Sequence, residues 1–155
     1  MLVRDSKRKR NRVVVIVSAL IVLGMMTTIA YAGYGYGNTL KFSSGGKSYT
    51  GQSYVFTNTW AHAVQQTKCN SSSAASGWIG NKARLYTSAG NLKGSSSWGY
   101  NSSSVAKGKY CLKTWSFDSK KGATFYSKGQ SRGWNTKNSS YTTKTTPRSP
   151  NQTSN

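Results

Sequence analysis

The sequence predicts an all-β protein, a small single-domain antiparallel β-sandwich or barrel that follows an N-terminal signal or hydrophobic helix. Two observations predict this fold. Apolar and polar residues alternate over short segments, as they do on strands with one buried face. Gly, Asn and Ser interrupt the alternation at intervals of about ten residues, a spacing that is typical of sandwiches and barrels.

Residues 1–32 have the features of a secretory signal peptide. A basic segment comes first, an apolar stretch runs from Val13 to Gly24, and Ala30-Tyr31-Ala32 matches the small-x-small pattern of a cleavage site. We therefore expect cleavage before Gly33 and a secreted product that associates with the cell wall. The alternative is an uncleaved membrane anchor within residues 13–32, because the apolar run approaches the length of about 20 residues that spans a bilayer.

The predicted β-domain covers residues 39–146. Two glycine-containing turns, at 44–47 and 88–91, predict β-hairpins, because a tight hairpin turn needs residues with positive φ. Residues 60–68 fit one face of a helix or one face of a strand, and we expect a strand. The other candidate strands are residues 39–42, 48–58, 78–86, 92–98, 107–117, 123–128 and 141–146.

Two flanking segments have no predicted place in the β-domain. Residues 33–38 alternate Gly and Tyr, which predicts a flexible tail or else an edge segment. Residues 147–155 contain both prolines and end in polar residues, so we expect a disordered C-terminal tail.

The charge balance is the strongest functional signal. Lys and Arg number 22 in the chain, and Asp and Glu number two. Six of the cations lie in the leader, so 16 remain in residues 33–155, where Asp118 is the only acidic residue. Cations in such excess cannot be neutralised by internal ion pairs, which predicts an anionic partner.

Cys69 and Cys111 are the two cysteines, and both lie in the exported part. An oxidising compartment predicts a disulfide between them. The alternative is a cysteine nucleophile with His62 as its base, which would require the two side chains to meet in space. One histidine and two cysteines fall short of a four-ligand structural zinc site, and we predict no metal and no cofactor.

The exported chain is poorly supplied with catalytic groups, and we predict no catalytic residue. His62 and Asp118 are its obvious candidates for general acid–base catalysis. A glycosidase of the usual kind needs two carboxylates, so that class is excluded. A small secreted nuclease centred on His62 remains as an alternative.

A cationic strand face is the predicted binding site. Between Trp78 and Tyr86 the charged side chains alternate with Ala83 and Leu85, so that one face would be cationic and the other apolar. Trp134 and Tyr141 are candidates for stacking on sugars or bases. The other tryptophans, Trp60, Trp78, Trp98 and Trp115, are expected in an aromatic core. The predicted polyanion-binding residues are Lys82, Arg84, Lys107, Lys109, Lys113, Lys128 and Arg132.

These observations favour a secreted, non-enzymatic domain that binds teichoic acid, anionic lipid head groups or nucleic acid, since a cationic face attracts polyanions without requiring any single residue. A bacteriocin-like antimicrobial protein is the main alternative. In its basic leader and its Tyr-, Ser- and Asn-rich product, the chain resembles exported proteins of Gram-positive bacteria, among them the small β-sandwich bacteriocins of the lactococcin type. The resemblance is one of composition and assigns no residue roles.

Overall fold

The computed structural model describes residues 33–118 and 120–155. The signal peptide or anchor predicted for residues 1–32 lies outside the described residues. The described residues form strands, turns and loops and contain no helix. Accordingly, no helix with the length and apolar character to cross a membrane is found in this part of the chain.

The strands account for most of the described chain, and the longest of them lie in its first half and in the segment after Tyr110. Within residues 33–118 and 120–155 the strands are β1 (Tyr34–Tyr36), β2 (Leu40–Ser44), β3 (Lys47–Thr57), β4 (Trp60–Cys69), β5 (Ile79–Lys82), β6 (Arg84–Thr87), β7 (Leu92–Ser95), β8 (Gly99–Tyr100), β9 (Tyr110–Asp118), β10 (Thr124–Ser127), β11 (Gln130–Asn135), β12 (Ser140–Thr145) and β13 (Gln152–Thr153).

Three antiparallel sheets are present among the described residues, and none of them closes into a barrel. The large sheet has five strands in the order β1-β3-β4-β9, with β2 also paired to β3. The two small sheets have the orders β13-β10-β6-β7 and β12-β11-β5-β8. The inner face of the large sheet packs against both small sheets, so each sheet has one inner and one outer face.

Several local predictions are confirmed. The described residues are all-β, and residues 60–68 belong to a strand, β4. The turn at 44–47 joins β2 and β3 in a hairpin, with Gly45 at φ 57° and Gly46 at φ 78°. Glycine adopts this left-handed region without the steric cost that a Cβ atom brings.

The segment 78–86 differs from its prediction as one strand. The strand is interrupted at Ala83, and the segments on either side, β5 and β6, belong to different small sheets. The N–H of Ala83 donates to Ser96 Oγ at 3.0 Å, which takes the place of a ladder hydrogen bond. The predicted alternation survives the break, because Ala83 and Leu85 are both fully buried on the inner face.

Both flanking segments contain a strand: the first agrees with the edge-segment alternative for residues 33–38, and the second differs from the predicted disordered tail. Tyr34–Tyr36 is an edge strand paired with β3, where tyrosine rings from both strands pack together. In the C-terminal segment, Gln152–Thr153 pairs with β10. Ser149 and Ser154 are each 1% exposed and hydrogen-bond to the body of the protein. The composition of the two segments does not reveal these contacts, because the residues that they contact lie far away in the sequence.

The core contains two apolar clusters. One joins Val55 and Ala63 of the large sheet to Leu85 and Phe125 of a small sheet. The other is formed around Tyr49 and includes residues of β2, β4 and β5. Both clusters combine aliphatic and aromatic side chains.

The prediction that Trp60, Trp78, Trp98 and Trp115 form the core is wrong, because none of the four is fully buried. Trp60 is 45% exposed, while Trp78 and Trp115 pack against the two clusters only as partly buried side chains. Trp98 is also partly buried. The rings that are buried belong to smaller residues, among them Tyr49 and Phe125, because two closely packed sheets have limited room for an indole.

A buried polar layer separates the two clusters. At its centre, Gln65 is fully buried, and its Oε1 accepts hydrogen bonds from Ser53 Oγ at 2.6 Å and Thr146 Oγ1 at 3.0 Å. Gln65 Nε2 donates to Ser131 Oγ at 2.8 Å. These bonds connect β3 and β4 to β11 and to the segment after β12. Each group therefore has a partner, which offsets the cost of burying it.

The polar layer extends two residues farther along β4, to Thr67. Thr67 Oγ1 donates to Asn81 Oδ1 at 2.5 Å and lies 2.6 Å from Ser131 Oγ. Asn81 Nδ2 donates to the carbonyl of Cys111 at 3.0 Å. The polar layer thus connects β3, β4 and β9 of the large sheet with β5 and β11 of one small sheet.

The predicted disulfide is not present: both thiols are free. Cys111 stands opposite Thr67 in the register of β4 and β9, so Cys69 is displaced from Cys111 by two residues. Diagonal neighbours of this kind are about 7–8 Å apart, whereas a disulfide requires Cα atoms about 4.4–6.8 Å apart. An oxidising compartment predicted the disulfide, but the register of β4 and β9 does not bring Cys69 and Cys111 within bonding distance.

We predict that Gln65→Ala lowers the free energy of unfolding by about 2–4 kcal/mol, because three buried hydroxyl groups lose their shared partner. The matched control is Gln66→Ala, which removes a half-buried amide on the other face of the same strand and should cost about 1 kcal/mol or less. Urea unfolding monitored by tryptophan fluorescence measures both values. Equal losses in the two variants would contradict a central role for the polar layer.

Candidate functional site

The candidate site lies on the outer face of the two small sheets. Tyr126 stands opposite Tyr86, and Gln130 stands opposite Lys82. Between these pairs the N–H of Lys128 donates to the carbonyl of Arg84 at 3.2 Å. Residues that alternate along paired strands project from the same face, so these side chains lie opposite the buried Leu85.

Four cations lie in a row at the centre of this face, and we call them the basic stripe: Lys82, Arg84, Lys128 and Arg132. Arg132 belongs to it because it stands opposite Gly80, two residues before Lys82 on β5. Two residues along a strand span about 6.6 Å, so neighbouring cations of the stripe stand close together. Asp118, the only acidic residue in residues 33–155, belongs to β9 in the large sheet and stands opposite Trp60 in the register. The stripe therefore has no carboxylate side chain in its own sheets.

Arg84 carries a specific sign of unmet hydrogen bonding. Its Nε is buried, and among the described residues it has no hydrogen-bond partner. Leaving a buried charged donor unsatisfied is costly. Because Nε is enclosed by the protein, an external anion would contact Arg84 through its terminal Nη groups, which are not among the buried, unpartnered atoms.

Arg132 is fixed in position at one end of the stripe. Its guanidinium carbon lies 3.7 Å from the ring centroid of Trp98 and 5.5 Å from that of Tyr141. Its Nε donates to Thr143 Oγ1 at 3.0 Å, and its Nη1 donates to Tyr100 Oη at 2.6 Å. Stacking and hydrogen bonding hold the planar group in one orientation, which reduces the entropy that it would lose on binding an oxyanion.

Aromatic rings surround Arg132 and form what we call the ring cluster: Trp98, Tyr100, Trp134 and Tyr141. Tyr141 lies 4.8 Å from Trp134 and 5.3 Å from Tyr100, between ring centroids. Its hydroxyl donates to the carbonyl of Gly77 at 2.6 Å. Burial and Tyr100 raise the pKa of Tyr141, with Arg132 acting in the opposite direction, so the phenol remains a donor at neutral pH.

The absence of a side chain at Gly80 makes room for this cluster. A Cβ atom at that position would lie 2.8 Å from Tyr100 Cε1 and 3.0 Å from Arg132 Cβ. Carbon atoms do not approach so closely without displacement. The tyrosine ring can therefore lie over β5, within reach of the arginine, because residue 80 is glycine.

A second arginine stacks on a ring beyond the other end of the stripe. Tyr86 and Tyr126 are stacked with their centroids 5.2 Å apart and their planes at 7°. The guanidinium carbon of Arg148 lies 3.9 Å from the Tyr126 centroid. The face thus has cations in its centre and arginine–aromatic contacts at both ends.

The structure brings together some of the predicted binding residues and separates others. The stripe and the stacking candidates Trp134 and Tyr141 share one face. Lys107 and Lys109 instead lie exposed in the loop before β9. Lys113 lies on β9, in the large sheet, with its alkyl chain beside Gly99. Arg148, Trp98 and Tyr100 were not predicted, because strand pairing between distant segments brings them to the face.

The alternatives centred on His62 receive little support from the geometry. Its ring stacks on Phe56 with centroids 4.2 Å apart, and its Nδ1 lies 2.7 Å from Ser116 Oγ. Cys69 occupies the other face of β4, so the cysteine–histidine pair is not formed. No group of three or more metal-ligating side chains occurs in residues 33–118 and 120–155.

Comparison with known proteins adds no assignment: no protein-family model matches the chain, and no curated protein matches it.

We predict that stability falls as the pH drops below about 6.5, the usual pKa of histidine. Burial lowers the pKa of His62, so the unfolded chain binds this proton more readily than the folded protein does. The folded state is therefore favoured above the unfolded pKa, and the advantage is lost as the pH falls through the lower folded pKa. His62→Gln should flatten the free energy of unfolding across this interval in urea titrations at several pH values. A slope that is unchanged in the variant would refute the assignment.

Proposed function

We propose that the chain is a secreted, non-enzymatic domain that binds anionic cell-envelope polymer through the basic stripe. The observation that carries the proposal is the row of four cations on one outer face, which has no carboxylate side chain in its own sheets. Such a row is suited to an external chain of negative charges.

Polymer phosphates are the partner class that the stripe suits best. Binding them releases counter-ions, so the affinity falls as salt rises, with a logarithmic slope near −0.7 for each phosphate contact on a flexible strand. Four cations then predict a slope of about −3. Arg132 and Arg84 can each donate from their terminal Nη groups to a phosphate, while Lys82 and Lys128 act as point charges.

The ring cluster adds a second kind of contact. Tyr100 is 41% exposed, and Trp98, Trp134 and Tyr141 are partly buried beside it. Rings in this position can contact a sugar or another apolar part of the polymer repeat, next to the phosphate held by Arg132. Teichoic acid, a phosphate polymer that carries sugar substituents, combines the two features.

The non-enzymatic part of the proposal rests on the supply of acid–base groups. His62 is the only histidine, and it lies on the large sheet, away from the stripe. Lysine and arginine side chains bind phosphate as cations, whereas general acid–base catalysis uses a positioned group with a pKa near the working pH. Binding is therefore the activity that this face can support.

We predict that Lys82→Met/Arg84→Met lowers retention on teichoic-acid-bearing walls about 30-fold, since each cation near an anionic surface contributes about 1 kcal/mol. The matched control is Lys120→Met/Lys121→Met, which removes the same charge from the exposed turn before β10 and should lower retention about threefold or less. A co-sedimentation assay at several salt concentrations measures both. Equal losses of retention in the two double variants would show that retention depends on net charge alone. Undiminished retention of the wild-type protein on walls stripped of teichoic acid would exclude this polymer.

The bacteriocin-like alternative uses the same targeting step but predicts killing. A growth-inhibition assay on Gram-positive indicator strains separates the two: inhibition that is lost in Lys82→Met/Arg84→Met would favour an antimicrobial protein over a purely adhesive one.

A further inference from the structure

The outer face of the large sheet carries a separate pair of lysines. Lys41 on β2 stands opposite Thr50 on β3, which stands opposite Lys68 on β4. Tyr110 on β9 completes this row. Strands are about 4.8 Å apart, so the two lysines start about 10 Å from each other with the threonine between them.

An open cavity of about 420 Å³ covers the row. Thr50 is 5% exposed and forms part of its floor. Asn70 Nδ2 donates to Thr50 Oγ1 at 2.8 Å and lies 3.4 Å from Ser48 Oγ. The ammonium group of Lys68 lies 4.8 Å from the centroid of the Tyr110 ring, which keeps it at the cavity wall.

The lining has the chemistry of an oxyanion site. Its residues are two lysines, hydroxyl and amide side chains and a tyrosine, and none is acidic: Thr39, Lys41, Ser48, Thr50, Lys68, Asn70 and Tyr110. Two ammonium groups can approach one anion from opposite sides, because lysine side chains are long and flexible. Hydroxyl groups on the floor supply additional donors.

We infer that Lys41 and Lys68 form a second phosphate-binding site, distinct from the basic stripe. The two sites lie on opposite outer faces of the protein, since the inner faces of the large and small sheets pack together. A domain with a site on each outer face can hold two phosphate-bearing chains at once. This bridging step rests on the proposed function of the stripe, while the second site stands without it.

The site is tested by titrating the protein with inorganic phosphate while recording amide chemical shifts by NMR, with sodium chloride at equal ionic strength as the reference. Saturable shifts are expected at Thr50, Lys68 and Asn70. Lys41→Met/Lys68→Met should weaken them about tenfold or more, whereas Lys120→Met/Lys121→Met should leave them unchanged. Shifts that chloride reproduces, or that persist in the Lys41/Lys68 variant, would overturn the site. Circular dichroism of each variant verifies that it is folded.

Bridging is tested by light scattering after the protein is mixed with poly(glycerol phosphate) or with phosphatidylglycerol vesicles. The wild-type protein should cluster at least one of the two, and the one that it clusters identifies the source of the phosphate. Lys41→Met/Lys68→Met should still bind the immobilised polymer but lose the scattering signal. A protein that titrates with phosphate at Thr50 but clusters neither material would overturn bridging. Failure of the stripe itself would appear separately, as unchanged retention of Lys82→Met/Arg84→Met on walls.

Discussion

The buried polar layer around Gln65 is the constraint on which the arrangement of the sheets depends. A glutamine in a fully buried position must find hydrogen-bond partners on the facing sheet, and it finds them in Ser131 and Thr146. A shift in register by one residue would turn Gln65 outward and leave those partners unsatisfied. Apolar packing on either side of the layer supplies burial, whereas the layer itself fixes how the large sheet lies against the small ones.

The two outer faces follow from that register. Because Ala83 and Leu85 face inward, Lys82 and Arg84 must face outward, and pairing with β10 and β11 adds Lys128 and Arg132 beside them. Mutual repulsion within the stripe is tolerated where water or an anion lies next to it. In the small sheets arginine guanidinium groups stack on rings at both ends of the stripe, and on the large sheet two lysines flank a threonine instead. The two outer faces therefore present their cations in different surroundings.

Local patterns predicted the strand content, the hairpin at residues 44–47 and the outward direction of Lys82 and Arg84, because each of these depends on residues close in sequence. The break at Ala83, the strand at Gln152–Thr153 and the free thiols were not predictable in this way. Each results from pairing between distant segments, such as the two-residue offset of Cys69 from Cys111. For the same reason, Arg148 could not be assigned to the face that carries the basic stripe.

By itself the sequence determined that residues 33–155 are β-rich and carry a large excess of positive charge, since both properties are sums over residues and local alternation. Tertiary structure alone decided which cations share a face, which arginines stack on rings and that Lys41 and Lys68 flank Thr50 on the large sheet. The physical reason is that strand register, set by buried hydrogen bonds between segments up to about a hundred residues apart in sequence, converts alternation along each strand into neighbours across strands.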